Sequence, residues 1–153
     1  MNKVSILVIS ISNPILVGIY DNDKLIEKIS LEGKASDALA NIFNEILKNY
    51  EIVSIFYVNG PGSYMAIKVA YIFLKTLSIT KNIEFKACDG FNFNNNSPIK
   101  ALGKKYFIKD VDDNILIDFI KDNEIKEFQL PNNLNKNIFT KDILPNYNLP
   151  AVN

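Results

Sequence analysis

Chemistry in this chain could begin at Asn59-Gly60-Pro61-Gly62-Ser63-Tyr64. A glycine-rich turn between a buried strand and a helix aims backbone N–H groups at the space before the helix, which suits an anion. Phosphate contact by Gly60, Pro61, Gly62 and Ser63 is one reading. The other is architectural: the glycines allow a tight turn and the Ser63 hydroxyl caps the helix. Ser63-Tyr64 follows the second glycine where a P-loop has Lys-Ser or Lys-Thr, so the loop is not of that kind. Asp89, at the end of an apolar run, is a candidate carboxylate for Mg²⁺ and phosphate, and its position equally suits a turn. Cys88, the sole cysteine, reads as a small core side chain.

The missing residue types exclude more than these establish. The 153 residues include 17 Lys and no Arg, His or Trp. Without His there is no histidine metal site and no Ser-His or Cys-His pair, so neither a metal centre nor a catalytic residue is assigned. Without Arg there is no guanidinium clamp on phosphate. The 17 basic side chains balance 17 acidic ones, so there is no long-range pull toward nucleic acid or an anionic membrane. Lys100, Lys104, Lys105 and Lys109 cluster, but Asp110, Asp112 and Asp113 follow at once, which suits a solvated strand edge. Residues 1–11 superficially resemble a leader peptide, yet a buried strand accounts for them better. One free cysteine and no bilayer-length apolar run point to a cytoplasmic protein.

Hydropathy supplies the elements that must hold these residues. Residues 4–11 form a nearly continuous apolar run, expected for a central strand buried on both faces. Residues 15–20 and 25–31 follow as strands, joined by the turns Ser12-Asn13-Pro14 and Asp21-Asn22-Asp23-Lys24, which makes an antiparallel meander. Ala35, Ala38, Leu39, Ile42, Phe43, Ile46 and Leu47 recur at helical spacing. Residues 52–58 are a strand, 64–79 a helix and 83–87 a strand. The expected product is an α/β fold with a five-stranded mixed sheet, its last two strands reached by crossovers. Residues 89–98 read as a polar linker. Three weaker strands follow at 102–108, 115–120 and 125–130, with turns at 111–114 and 121–124. The tail from Pro131, which includes Pro145 and Pro150, is expected to be extended and ordered by docking.

The second helix has an unusual outer side. A helical wheel places Ala66, Ala70, Phe73 and Leu77 toward the core, flanked by Val69, Ile67 and Leu74. The opposite stripe is Tyr64, Lys68, Tyr71, Ile72, Lys75 and Ile79. A lone surface helix would be polar there, so a second covering is required: the chain's own second lobe, or a partner. Tyr and Ile anchors with Lys stems suit a protein interface.

With these residues in view, the chain resembles the bacterial TsaB family, also called YeaZ. These are paralogues of the TsaD/Kae glycoprotease-like proteins in the actin-like ATPase, ribonuclease H-like superfamily. The family opens with a strand of the type ILAIDTS, matched by residues 6–12. Its first helix starts EHSE-LLP-I, matched by residues 34–39, and its next strand ends in GPGSFTGVR, matched by residues 60–68. The departures fall on polar positions: Ser10 stands at the family's Asp, Ala35 at its His, Met65-Ala66 at its Thr-Gly and Lys68 at its Arg. The resemblance implies a ribonuclease H-like lobe at 1–88, a linker at 89–98, and a reduced second lobe with an extended tail at 99–153.

It also implies a role. TsaB-like proteins are non-catalytic; they bind TsaD through helices of the first lobe. With the ATPase TsaE, that assembly supports transfer of a threonylcarbamoyl group to an adenosine beside the tRNA anticodon. Family members also form homodimers through the same helices. The implied partners are a TsaD-like paralogue and a TsaE-like ATPase, or a second copy, with tRNA reached only indirectly and no membrane. No intrinsic cofactor is implied, and a nucleotide only at a partner interface. Alternatives are an actin-like phosphotransferase or ATPase, which would need Asp89 to replace the missing acid, and a stand-alone homodimeric scaffold. A metallopeptidase would need ligands the chain lacks.

Overall fold

A computed structural model describes residues 1–120 and 125–147. The first half forms β1 (Asn2–Ile9), β2 (Ile15–Asp21), β3 (Lys24–Leu31), α1 (Ala35–Asn49), β4 (Tyr50–Val58), α2 (Tyr64–Lys81) and β5 (Glu84–Cys88). Asn22 and Asp23 both take left-handed backbone, φ 49° and 64°, which matches the twist of the β2–β3 hairpin. Asn82 closes α2 in the same left-handed region.

These strands make one five-stranded sheet in the order β3-β2-β1-β4-β5. β1 runs antiparallel to β2 and parallel to β4, and β4 runs parallel to β5. Alternation along β1 splits the core. Val4, Ile6 and Val8 join Leu39, Phe43 and Ile46 of α1 and Ala70 and Leu74 of α2. Leu7 and Ile9 point to the other face with Tyr20, Phe56, Val58 and Cys88. Burial on both faces explains why β1 lacks polar alternation.

The buried side of α2 is Ile67, Ala70, Leu74 and Ser78, which corrects the expected core face of Ala66, Ala70, Phe73 and Leu77. The helix packs against two neighbours at once. Phe73 meets Phe43 of α1 edge-on at 5.5 Å, while Leu74 drops onto the sheet. A wheel weighs apolar residues alike and cannot separate those two contacts.

Beyond β5 the residues expected as a polar linker are packed. Gly90–Phe93 form a 3-10 turn with Phe91 and Phe93 buried. A second sheet follows: β6 (Ile99–Lys100), β7 (Lys105–Lys109) and β8 (Ile115–Phe119), in the order β6-β7-β8. The strand expected at 102–108 thus begins three residues later. The one expected at 125–130 lies outside the sheet. Its polar groups pair with the preceding loop instead: Lys126 N–H donates to Ser97 Oγ at 3.0 Å and Gln129 N–H to the Phe93 carbonyl at 2.9 Å. The turn expected at 121–124 and Pro150 of the tail lie outside the described residues.

From Phe128 the chain becomes a strap. Leu130, Leu134 and Phe139 seal the sheet face that α1 and α2 leave bare. Phe139 lies on Phe56, ring centroids 4.4 Å apart. The strap bonds the β2–β3 hairpin, with Leu25 N–H donating to Asn132 O at 2.9 Å and Leu134 N–H to Asp23 O at 2.8 Å. It then pairs with the outer edge of β5, where Ala87 and Thr140 exchange both backbone bonds. Past that edge, Ile143 joins the cluster on the helix side. Tyrosine hydroxyls from the sheet pin the strap twice: Tyr20 donates to Pro131 O at 2.7 Å and Tyr57 to Ile143 O. The expected docked, extended tail is therefore a main part of the fold. Gly18 makes room for it, since a Cβ there would meet Tyr20 at 2.8 Å and Leu130 at 3.2 Å.

Burial pushes both phenols well above their usual 10.0, and for Tyr57 the neighbouring Tyr71, Tyr147 and Asp142 add to it. The folded state thus keeps protons that the unfolded chain releases above that value. The stabilising contribution is complete at lower pH and is lost as pH rises. Unfolding free energy in urea is expected to decline from about pH 10 upward, with both tyrosines spectroscopically protonated until the fold is lost. Phe139→Ala is expected to lower that free energy at neutral pH by about 3 kcal/mol.

Candidate functional site

The glycine loop caps the sheet at the carboxyl ends of its parallel strands. Gly60, Pro61 and Gly62 are buried, and the Gly60–Pro61 peptide is cis. Gly60 has φ +133°, and a Cβ there would sit 1.9 Å from the carbonyl oxygen of Asn146 on the strap. A Cβ on Gly62 would sit 2.6 Å from Ile11 Cγ2, and one on Gly90 2.7 Å from Ile11 Cδ1. These glycines are small because the chain's own groups lie against them. Gly90 N–H donates to Gly60 O at 3.0 Å and Asn146 N–H to Asn59 O at 2.7 Å. Ser63 is the N-cap of α2, its Oγ accepting from Ala66 N–H at 3.5 Å.

The polar residues around the loop are engaged internally. Ser10, at the position the resemblance gives to an acid, is buried and donates to Ala66 O at 3.2 Å. Asp89 caps the 3-10 turn by accepting from Phe91 N–H at 3.0 Å. Its other oxygen meets Lys109 Nζ at 2.9 Å, tying β5 to the second sheet. Burial pushes the Cys88 thiol far up; the charge of Asp89 adds to this, while Asn92 and Lys109 oppose it. Cys88 is therefore a core thiol without thiolate character at neutral pH.

The outer side of α2 differs in kind. Tyr64, Lys68, Ile72 and Ile79 are exposed, with Ile72 at 52% and Ile79 at 67%. Tyr71 and Lys75 lie on a half-buried shoulder, and the Tyr71 ring is 6.4 Å from that of Tyr57. Met65 is 62% exposed and completes a line with Ile72 and Ile79. Beside this line runs a groove of about 480 Å³ between α1 and α2, lined by Ser36, Val69, Ile72, Phe73, Thr76 and Leu77 among others. The face is apolar, accessible and backed by rigid helix. The stripe read from sequence omitted Met65 and Val69, although the seven-residue spacing of Met65, Ile72 and Ile79 is visible in it.

The strap reaches this face at one end. Tyr147 stacks on Tyr64 with centroids 4.4 Å apart, and Lys68 Nζ stands 5.6 Å from the centre of the Tyr64 ring. Desolvation, together with Tyr64, raises the Tyr147 phenol. Tyr64, Lys68, Tyr71 and Lys75 thus share one flank of α2, with Ile72 and Ile79 on its crest. Among the described residues, no helix is long and apolar enough to cross a membrane.

The architecture is an α/β fold with a ribonuclease H-like lobe: a mixed five-stranded sheet with two helices on one face. No family model matches the sequence, and no curated protein does. Solved structures do. The fold is similar to that of YeaZ from Pseudomonas aeruginosa, with a TM-score of 0.60 at 10% sequence identity over 82% of this chain and 63% of that one. A second similar structure, described as an uncharacterized protein with similarity to peptidase YeaZ from Pseudomonas aeruginosa, gives a TM-score of 0.53 at the same identity and coverage. At such identity the likeness establishes a YeaZ-like fold. The chain spans less than two thirds of either structure's length.

Gly60→Ala combines a left-handed position with a clash against Asn146. It is expected to destabilise the protein by about 2 kcal/mol or more and to release the strap end. Amide exchange should show this as lost protection at Asn146 with the central strands still protected. Equal protection at Asn146 in the variant and the wild type would refute the contact.

Proposed function

We propose that this chain is a non-catalytic interaction subunit that docks a TsaD-like paralogue through α2 and the α1–α2 groove. In that role it scaffolds threonylcarbamoyl transfer to tRNA. The observation that carries the reading is the apolar face of α2 that the described residues leave exposed, on a YeaZ-like fold. Single exposed apolar residues are ordinary, whereas a line of three beside an apolar groove marks a contact surface. The composition agrees, since the chain has no His or Arg to do chemistry.

The loop chemistry supports the same division of labour. Gly60 and Gly62 are packed against Asn146 and Ile11, and the Asp89 carboxylate is bonded to Lys109 and Phe91 N–H. An actin-like ATPase would need those groups facing phosphate and Mg²⁺. Catalysis and tRNA contact then fall to the TsaD-like partner, with a TsaE-like ATPase in the same assembly. The chain acts in the cytoplasm and holds no cofactor of its own.

Co-expression with the TsaD-like protein of the same genome, sized by light scattering, tests this. A 1:1 complex is expected. Ile72→Asp should keep the wild-type melting temperature, because Ile72 is half exposed, while weakening the complex by about tenfold or more. A folded wild-type chain that ignores the TsaD-like protein would overturn the assignment. So would an Ile72→Asp variant that binds unchanged.

A further inference from the structure

Asn59-Gly60 is the sole Asn-Gly pair in the chain. Such a pair carries a reaction of its own. The glycine nitrogen attacks the asparagine Cγ, and the absence of a Cβ on glycine leaves the approach open. The Cγ–Nδ2 bond breaks, the proton of the glycine nitrogen leaves with Nδ2 as ammonia, and a succinimide ring closes. Water then opens the ring at either carbonyl, giving aspartate or isoaspartate. One water is consumed and one ammonia released, and no oxidant or metal takes part.

The fold puts this pair where β4, the glycine loop, β5 and the strap meet. Asn59 N–H donates to Cys88 O at 3.0 Å, and Asn59 O accepts from Asn146 N–H at 2.7 Å. The side chain makes the rest of the tie: Nδ2 donates to Leu144 O at 3.1 Å and to Asp142 O at 3.4 Å. Gly60 O accepts from Gly90 N–H at 3.0 Å, whereas among the described residues no backbone acceptor takes the Gly60 N–H. The attacking nitrogen is thus uncommitted, and the leaving nitrogen is held by two carbonyls of the strap. Cyclisation requires Nδ2 to let go of them.

The product cannot remake the tie. A carboxylate has no proton to donate. At position 59 it would set negative oxygen against the carbonyls of Asp142 and Leu144, and leave both acceptors unpaired. Isoaspartate also adds a methylene to the main chain, which displaces the carbonyl that Asn146 uses.

We infer that Asn59 is a modification site guarded by the strap. While residues 142–146 are docked, Asn59 stays an amide. While they are undocked, it converts, and the conversion leaves the strap end unlatched for good. The stack of Tyr147 on Tyr64 goes with it, whereas Leu130, Leu134 and Phe139 still cover the sheet. The chain thereby carries a one-way mark of the time its strap end has spent open. The mark needs no partner and is independent of the docking role.

Peptide mapping by mass spectrometry, following aspartate and isoaspartate at position 59 in mildly alkaline buffer, tests the guard. Conversion through a local opening tracks the population of the open form. Chain unfolded in urea should convert about tenfold or more faster than the folded wild type. Tyr57→Phe keeps the ring and removes the hydroxyl that donates to Ile143 O, between the two acceptors of Asn59. It should speed conversion in the folded chain about fivefold. Ile46→Val costs a similar amount of stability on the β2–β3 side of α1, away from the strap, and should leave the rate unchanged. Folded wild type converting as fast as the unfolded chain would overturn the inference. So would Tyr57→Phe converting at the wild-type rate, or Ile46→Val matching its acceleration, which would assign the reaction to global unfolding.

Amide exchange on Asn59→Asp tests the consequence. Protection at Asn146 should fall about tenfold or more, with β1 and β4 protected as in wild type. Undiminished protection at Asn146 would overturn the unlatching.

Discussion

The fold depends on one packing problem. A sheet whose central strand is apolar on both faces must be covered on both. Leu7, Ile9, Phe56 and Val58 form the second face, and among the described residues neither α-helix reaches it. Leu130, Leu134 and Phe139 cover it from a segment with almost no regular structure of its own. An irregular segment can lie on a core only if its backbone polar groups find partners. The strap meets that condition by borrowing them: hairpin groups at Asp23 and Leu25, the β5 edge at Ala87, and the hydroxyls of Tyr20 and Tyr57. The two tyrosines serve packing and hydrogen bonding together, which is why both are fully buried yet satisfied.

Covering that face also determines what the other end of the sheet can do. Asn146 reaches the glycine loop only because the strap turns around β5 and continues past Ile143. The loop's small residues accept the strap on one side and Ile11 on the other. The anion-binding geometry latent in a glycine-rich strand-to-helix turn is thereby spent on internal packing. An exposed surface lies on α2, whose buried side is held by the sheet, one flank by α1 through Phe73 and the other by the strap through Tyr64. A rigid helix with a free apolar crest loses little conformational freedom on docking.

Much of this was legible in the residues. Apolar runs bounded by turn signals placed all five strands of the first sheet, period-3.6 patterns placed α1 and α2, and short polar turns gave the meander its direction. The loop's architectural alternative was legible too, since Ser63 stands at a cap position and glycine flanks a turn. What was not legible depends on contacts remote in sequence. Residues 125–130 have strand-like hydropathy, and only the presence of Ser97 and Phe93 opposite them decides that they bond to a loop. Phe91 and Phe93 were hidden among Asn and Gly, whose polarity masked two buried rings. The core face of α2 was misaligned because Phe73 belongs to α1 and Leu74 to the sheet, a division no single-helix pattern contains. The same misalignment left Met65 out of the exposed line.

The strap also fixes an order of events. Tyr20 and Pro131 meet across 111 positions of chain, and Tyr57 and Ile143 across 86. Every strand of the first sheet precedes the segment that seals it. During synthesis the five strands and both helices can assemble while Leu7, Ile9 and Phe56 still face water. Contacts of such long sequence separation form late and slowly. The growing chain therefore passes through a half-covered state whose exposed surface is an aggregation hazard. Leu130, Leu134 and Phe139 are made after the whole first sheet and end that exposure, so a product that stops before them would differ from one that contains them in solubility before it differed in the secondary structure of that sheet.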